Sequence, residues 1–183
     1  MTNFRVSFSI LEPWSRGDYE EAINRYLRRP TITTPQMAEG KVLHEQWREY
    51  TEKTKKLPEV FGGAELVNPE CELKMTCQID DWIEFVGVID LLDGHTIHDY
   101  KTGGANSLKY ISSMQLKCYQ FLAIENGYVP TVAYINHFNQ YTKQVTNSKA
   151  YLSDYTKNLA RDWIVTYASE LHEAIEKIQE YKK

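Results

Sequence analysis

Gly87-Val-Ile-Asp90-Leu-Leu-Asp-Gly-His-Thr-Ile-His-Asp99-Tyr-Lys101-Thr-Gly103 is the stretch on which the reading of this chain turns. Residues 83–92 are apolar enough for a central strand. Asp93-Gly94 is a strong two-residue hairpin signal, and 95–101 read as the returning strand, ended by Gly103-Gly104. Asp99 and Lys101 are two apart, so on a strand they share one face. The hairpin brings Asp90 to the neighbouring strand. A lone Asp-x-Lys is usually an ordinary ion pair on a strand edge. Here Asp90 sits among Val86, Val88, Ile89, Leu91 and Leu92, where an unpaired carboxylate costs several kcal/mol, on the order of 2–7.

Two carboxylates and an ammonium on one patch make sense around a hard divalent cation, which takes oxygen ligands. The Tyr100 carbonyl is placed to be a third oxygen, and Lys101 would stand beside the attacking water to orient it or take its proton. His44, in Gly40-Lys-Val-Leu-His44, offers an imidazole nitrogen to the same ion from a preceding helix. Gln115 and Tyr119, four apart on the following helix, share a face and are placed to bind a phosphate or to hold the lysine.

Working outward, 71–79 alternate as a half-buried strand, with Cys71, Leu73, Met75, Cys77 and Ile79 facing one way. Phe4 to Ile10 also alternates and reads as a short strand or an extended lead-in. Asp18 to Arg29 reads as a helix capped by Asp18 and stopped by Pro30. After a linker at 31–35, a second helix runs from about 36 to 56. A helix is expected over about 107–126, closed by Gly127. A strand follows at 131–138, then one at 141–146 paired to it through Asn139-Gln140. A long helix is expected over about 153–181, with Leu159, Trp163, Tyr167, Leu171, Ile175 and Ile178 on its inner stripe. The order is an α/β sandwich around a short mixed β-sheet flanked by helices.

The chain has 183 residues, which reads as one domain over 1–183: a helical lead-in at 1–35, the motifs within about 36–138 and the closing helix. Charged residues are 25% and hydrophobic residues 42%, which excludes a disordered tail or a coiled-coil rod. No apolar run approaches a membrane span, and no secretory leader is expected. The net charge of −4 argues against gripping nucleic acid by bulk electrostatics. Local cations are the alternative: Arg48, Lys53, Lys55 and Lys56 at one helix end, extended by Lys109 and Lys117. Three cysteines, Cys71, Cys77 and Cys118, with no Cys-x-x-Cys, fit neither a disulfide framework nor a four-cysteine metal site, and suit a reducing cytoplasm. His95 and His98 do not stand at zinc spacing, and His98 is expected to face away from Asp99. Glu65, Glu70 and Glu72 read as solvated, with a contribution to a metal site from one of them as the alternative.

Gly-x-x-x-His, Gly-x-x-Asp, Asp-x-Lys-Thr and Gln-x-x-x-Tyr, in this order, resemble the PD-(D/E)XK nuclease superfamily, and most closely its RecB-like branch, which includes CRISPR-associated RecB-like exonucleases. The resemblance covers about residues 36–120. It implies a restriction-endonuclease-like core and a metal-dependent deoxyribonuclease, leaning to an exonuclease on DNA ends or single strands. It implies Mg²⁺ or Mn²⁺ held by His44, Asp90, Asp99 and the Tyr100 carbonyl, Lys101 as catalytic lysine beside Asp90 and Asp99, and Gln115 and Tyr119 as the downstream substrate-binding motif. The four cysteines that hold an iron–sulfur cluster in many CRISPR-associated members have no counterparts here, so no cluster is expected. DNA is the expected partner, in the cytoplasm of a bacterial, archaeal or phage-infected cell. A protein partner or a second copy stays open, as does an assembly subunit that binds nucleic acid in CRISPR adaptation or phage recombination.

Overall fold

The computed structural model describes residues 3–30, 32–104 and 107–180. Its elements run β1 (Phe4–Ser7), α1 (Phe8–Ser15), α2 (Tyr19–Tyr26), α3 (Pro35–Thr54), β2 (Pro69–Ile79), β3 (Ile83–Asp93), β4 (Thr96–Thr102), α4 (Ser107–Ile111), α5 (Gln115–Glu125), β5 (Val132–Phe138), β6 (Val145–Tyr151) and α6 (Asp154–Glu180). This is the expected mixed α/β architecture, a six-stranded mixed sheet flanked by helices with a long helix at the end. No described helix is long and apolar enough to cross a membrane.

Local chemistry sets several boundaries. Asp18 caps α2 by accepting from the Glu21 N–H at 3.3 Å, and Thr34 caps α3 by accepting from the Met37 N–H at 3.2 Å, with Pro35 in the first turn. Asp93 accepts from the backbone N–H groups of Val67 and Asn68 at 2.9 and 2.6 Å, which aims the chain into β2.

β3 organises the sheet. One of its edges pairs antiparallel with β2 from end to end, Pro69 opposite Asp93 and Ile79 opposite Ile83. The other edge is shared. β1 pairs with it in parallel at Ile83 to Val86, and β4 antiparallel at Leu91 to Asp93. Between those two partners, from Gly87 to Asp90, that edge of β3 carries no paired strand. β5 then adds parallel to β4, and β6 antiparallel to β5.

Two apolar clusters hold the sheet. The larger includes Phe4, Val6, Ile83, Phe85, Ile89 and Leu122 with the inner faces of α1, α5 and α6. The smaller lies under α3 and joins Trp47, Leu57, Phe61, Leu91 and Tyr100. Ile89 belongs to the first and Leu91 to the second, although a regular strand would put both on one side. The alternation slips at Asp90. On β2 it slips at Glu72, which stands opposite Asp90 in register and has φ +48°.

Several expectations are corrected. The lead-in is not only helical: β1 joins the sheet but ends at Ser7, where α1 begins, because residues 8–15 bury Leu11, Pro13 and Trp14 as a helix. The hairpin loop is Gly94-His95 rather than Asp93-Gly94, with Asp93 paired to Thr96. The helix expected at 107–126 is two, α4 and α5, broken at 112–114. The last strand is Val145–Tyr151, later than the expected 141–146, because Asn139 accepts from the Tyr141 and Thr142 N–H groups and builds a longer loop. The buried stripe of α6 runs through Ala160, Ile164, Ala168, Leu171 and Ile175, whereas Leu159 is exposed. The expected Leu171 and Ile175 lie on this stripe, and Trp163 and Tyr167 pack beside it; over its first half alanines carry the close approach, so a search for large apolar residues lands one position early there. Tyr181, the expected end of this helix, lies outside the described residues.

α5 crosses β3 at Gly87. A methyl group there would lie 2.7 Å from Leu122 Cδ1 and 3.6 Å from the Tyr119 ring. Gly87→Ala is therefore expected to destabilise the chain by about 1–3 kcal/mol through overpacking, a drop of several degrees readable by thermal unfolding.

Candidate active site

The strand arithmetic puts the two aspartates face to face. Leu91 pairs with His98 and Leu92 with Ile97, so one step further Asp90 stands opposite Asp99. No ladder pair forms at that step. Asp90 Oδ2 instead accepts from the Tyr100 backbone N–H at 2.7 Å, and the strands part around the carboxylate. Lys101 folds back along the same face. Its ammonium donates to Asp99 Oδ1 at 3.0 Å and lies 2.7 Å from Oδ2. Oδ2 is in ion-pair contact only. It is buried and accepts no well-aligned hydrogen bond, in a residue 1% exposed.

The electrostatics follow from this crowding. Burial, and then the Asp99 carboxylate, push the Asp90 carboxyl well above its usual range. Burial also raises Asp99, against the pull of Lys101. Burial alone would lower the Lys101 ammonium, but Asp99 and then Asp90 outweigh it and raise its pKa. Tyr119 stays a phenol, raised by burial and then by both aspartates.

His44 comes from α3 on the other side of the opening. Its ring lies edge-on to Tyr100, 6.2 Å between centroids. Burial, and then the Lys101 charge, push its imidazole down to about 4, so at neutral pH it is a neutral ring with a free lone pair. Gly40, one helical turn earlier, is where α3 meets β4. A methyl group at Gly40 would lie 2.5 Å from Thr102 Oγ1 but 3.6 Å from Thr102 Cβ. The open cavity beside it, about 650 Å³, is lined by Gly40, Lys41, His44, Glu45, Arg48, Glu72 and Thr102 among others.

Asp90, Asp99 and Lys101 thus meet as one cluster, with Tyr100 between them. His44 stands at its rim. Among the described residues no three His, Cys, Asp or Glu side chains already form a metal-binding group. The residues nevertheless fit a hard cation. A half-buried and a buried carboxylate face each other, one oxygen has no aligned donor, and among the described residues the ion-pair partner of the pair is the Lys101 ammonium on Asp99. Gln115 does not hold the lysine: its Nε2 donates to Tyr119 Oη at 2.8 Å. The ammonium lies over the Tyr110 ring, 5.8 Å from its centroid.

Tyr110, Glu72 and Thr102 were not singled out from sequence as parts of this cluster. Glu72 had a signal, being one of three glutamates near the first long strand. Only the register showed which one faces Asp90. Glu65 pairs with Lys56 at 3.3 Å and Glu70 accepts from Tyr128 Oη at 3.0 Å. In the basic stretch offered as an alternative DNA track, Arg48 pairs with both Glu45 and Glu52, and Lys56 with Glu65. His98 faces away from Asp99, beside Asn136 Nδ2 at 3.1 Å and stacked on Tyr134. Cys71 and Cys77 lie on β2 and Cys118 on α5.

The sequence model of the PD-(D/E)XK nuclease superfamily matches residues 8–182. No curated protein matches the chain. Among solved structures it resembles the alkaline exonuclease LHK-Exo from Laribacter hongkongensis, with a TM-score of 0.59 at 12% identity, covering 98% of this chain and 93% of that one. The same enzyme in complex with dAMP matches with a TM-score of 0.59 at 14% identity and the same coverage. The protein SSO0001 matches with a TM-score of 0.55 at 16% identity, covering 91% of this chain and 78% of that one. At these identities the likeness is one of fold.

Two predictions follow from the cluster and its supports. An unfolded chain releases the Asp90 proton near the ordinary carboxylate value, about 4, whereas the folded chain holds it to higher pH. Between those limits the folded state binds more protons, so stability falls as pH rises. Asp90→Asn is expected to flatten this slope and to raise Tm at pH 8 without added metal. Asp99→Asn should instead cost about 3 kcal/mol, because it strands the Lys101 ammonium. Thermal melts of both variants at pH 5 and 8 test the contrast. At the α3–β4 contact, Gly40→Ala should destabilise by about 1–3 kcal/mol although Ala is the better helix former. The same change made on Thr102→Ala should be stabilising, a coupling read by a double-mutant cycle.

Proposed function

This chain belongs to the PD-(D/E)XK nuclease superfamily, and on that premise we propose that it is a divalent-metal-dependent deoxyribonuclease that hydrolyses phosphodiester bonds as an exonuclease, at DNA ends or on single strands. The observation that carries this reading is the opposition of Asp90 and Asp99 at the opened step of the β3–β4 ladder, with Lys101 on Asp99. The structural likeness to an alkaline exonuclease crystallised with dAMP agrees with it.

In this reading Asp90, Asp99, the Tyr100 carbonyl and His44 hold a Mg²⁺ or Mn²⁺ ion. When bound, such an ion makes the attacking water more acidic and offsets the charge that gathers on the phosphoryl oxygens. The protein does the rest. Asp90 stays aimed because its second task is to accept the Tyr100 N–H. With Asp99 engaged elsewhere, the Lys101 ammonium would turn to the attacking water and orient it, or take its proton once it has itself given one up to solvent. The Tyr110 ring below keeps the ammonium near the cluster during that exchange. Gln115 and Tyr119, bonded to each other, present an amide and a phenol edge to the strand being cut.

The test is DNA cleavage with Mg²⁺, Mn²⁺ or EDTA on linear, closed-circular and single-stranded DNA. Wild type should cut linear and single-stranded DNA only with metal, and Lys101→Ala should lose at least a hundredfold. Undiminished cleavage by Lys101→Ala would overturn the mechanism, and cutting of closed circles would overturn the exonuclease reading. Metal-dependent binding with no cleavage by wild type would mark an assembly subunit instead.

A further inference from the structure

Among the described residues, two cavities outside the cluster are lined by no acidic side chain, and one of them gathers arginines. It holds about 290 Å³ between β1, α1 and α2, and is lined by Asn3, Arg5, Val6, Ile10, Arg25, Tyr26, Arg28 and Val86. Three arginines share it in a chain whose net charge is −4. The cavity beside His44 differs, since there Lys41 and Arg48 are matched by Glu45 and Glu72.

The three arginines are not equally free. Arg5 reaches back to Glu84 at 3.6 Å, and both side chains are partly exposed. Arg25 is held in place, donating to the Ser9 carbonyl at 2.6 Å and pairing with Glu21. Arg28 follows the end of α2 at φ +52°, and among the described residues no hydrogen bond or ion pair engages its guanidinium. A guanidinium fork with free donors, beside a second one already oriented, suits a phosphate oxygen pair.

The cavity also leads to the reacting cluster. Val86 walls both it and a second cavity, about 330 Å³, bounded by Ser7, Ser9, Lys74, Gly87, Val88, Gln115 and Tyr119. That second cavity lies along the first part of the gap on β3, at Val86 to Val88, between the end of β1 at Val86 and the start of β4 pairing at Leu91. The gap ends at Asp90. From Val86 to Asp90 is four residues of strand, about 13 Å, which spans about four stacked nucleotides at ~3.4 Å each.

We propose that the Arg5–Arg25–Arg28 cavity binds a backbone phosphate of the DNA strand being cut, about four nucleotides from the scissile bond. The inference rests on the nuclease reading for the identity of the strand, and on the cavity for where that strand lies. Arg28 supplies the free fork, with Arg25, oriented by Ser9 and Glu21, and Arg5, beside Glu84, as its neighbours in the cavity wall. The contact positions the strand and carries no base preference.

The experiment uses Arg28→Gln and Arg28→Lys in the full chain. Binding of a fluorescent single-stranded 12-mer is measured with Lys101→Ala as background, in Ca²⁺ or EDTA, over a range of salt. Arg28→Gln should weaken binding about tenfold and lower the salt slope by about one, and Arg28→Lys should keep the slope. A trinucleotide, too short to reach from Asp90, should bind both variants and the background alike. Where wild type cleaves, Arg28→Gln should raise KM on the 12-mer and leave kcat unchanged. Unchanged 12-mer binding, or equal losses on the 12-mer and the trinucleotide, would overturn the proposal. Neither outcome depends on cleavage. A chain that binds as expected but never cuts would overturn the nuclease reading and leave the cavity assignment standing.

Discussion

Asp90 and Asp99 are held opposite one another, largely out of water, with one ammonium between them and the solvent. This contact is unfavourable for the folded chain: a half-buried and a buried carboxylate repel, and burial raises the pKa of each. It persists because both residues are set by the sheet. Asp99 follows the parallel register of β4 on β5, and Asp90 is fixed by the Tyr100 N–H that its side chain accepts. The strand ladder opens at this step, and a backbone donor that would have gone to a carbonyl goes to a carboxylate. The strain is confined to one point by the apolar residues on either side, Ile89 and Leu91, which are fully buried in separate clusters.

The helices act on that point from two sides. α3 approaches β4 where a glycine meets Thr102, and α5 crosses β3 where a glycine meets Leu122. Each glycine costs helix or strand stability, and each brings a functional side chain within range. Gly40 lies one turn before His44 on α3, and Gly87 leaves room for the Tyr119 ring against β3. Two of the four sequence motifs therefore begin with a glycine for the same physical reason, which is close approach rather than backbone freedom.

Charge is distributed in keeping with this. Several surface cations are spent on local carboxylates, as Arg48 on Glu45 and Glu52, Arg16 on Glu12 and Arg161 on Asp80. Two of the cations at the helix end, Arg48 and Lys56, are partnered by carboxylates in three dimensions. The arginines of β1, α2 and the turn after α2 stand out because their cavity has no acidic lining. A weakly acidic protein that handles a polyanion needs its attraction concentrated, and electrostatic attraction over short range survives salt better than a diffuse surface charge.

The sequence by itself determined most of the order of the elements, the hairpin that brings Asp90 and Asp99 to neighbouring strands, and the shared face of Asp99 and Lys101. These follow from period-two alternation, an Asp-Gly turn and residue spacing, all local properties. It also put His98 on the opposite face from Asp99. The register that sets the two aspartates opposite one another came from the loop at Gly94-His95. What only the tertiary structure decided is where the ladder stops. Nothing in the alternation of 83–93 or 69–79 announces the slip at Asp90 and Glu72, which stands just before the step where β4 begins to pair with β3. The same holds for the first half of the inner stripe of α6, which runs on alanines, and for the Tyr110 ring beside Lys101. It holds for the Arg5–Arg25–Arg28 cavity too, whose arginines come from β1, α2 and the turn after α2 and meet only in the folded chain. Contacts between distant segments depend on how close their backbones come, and that distance is set by packing.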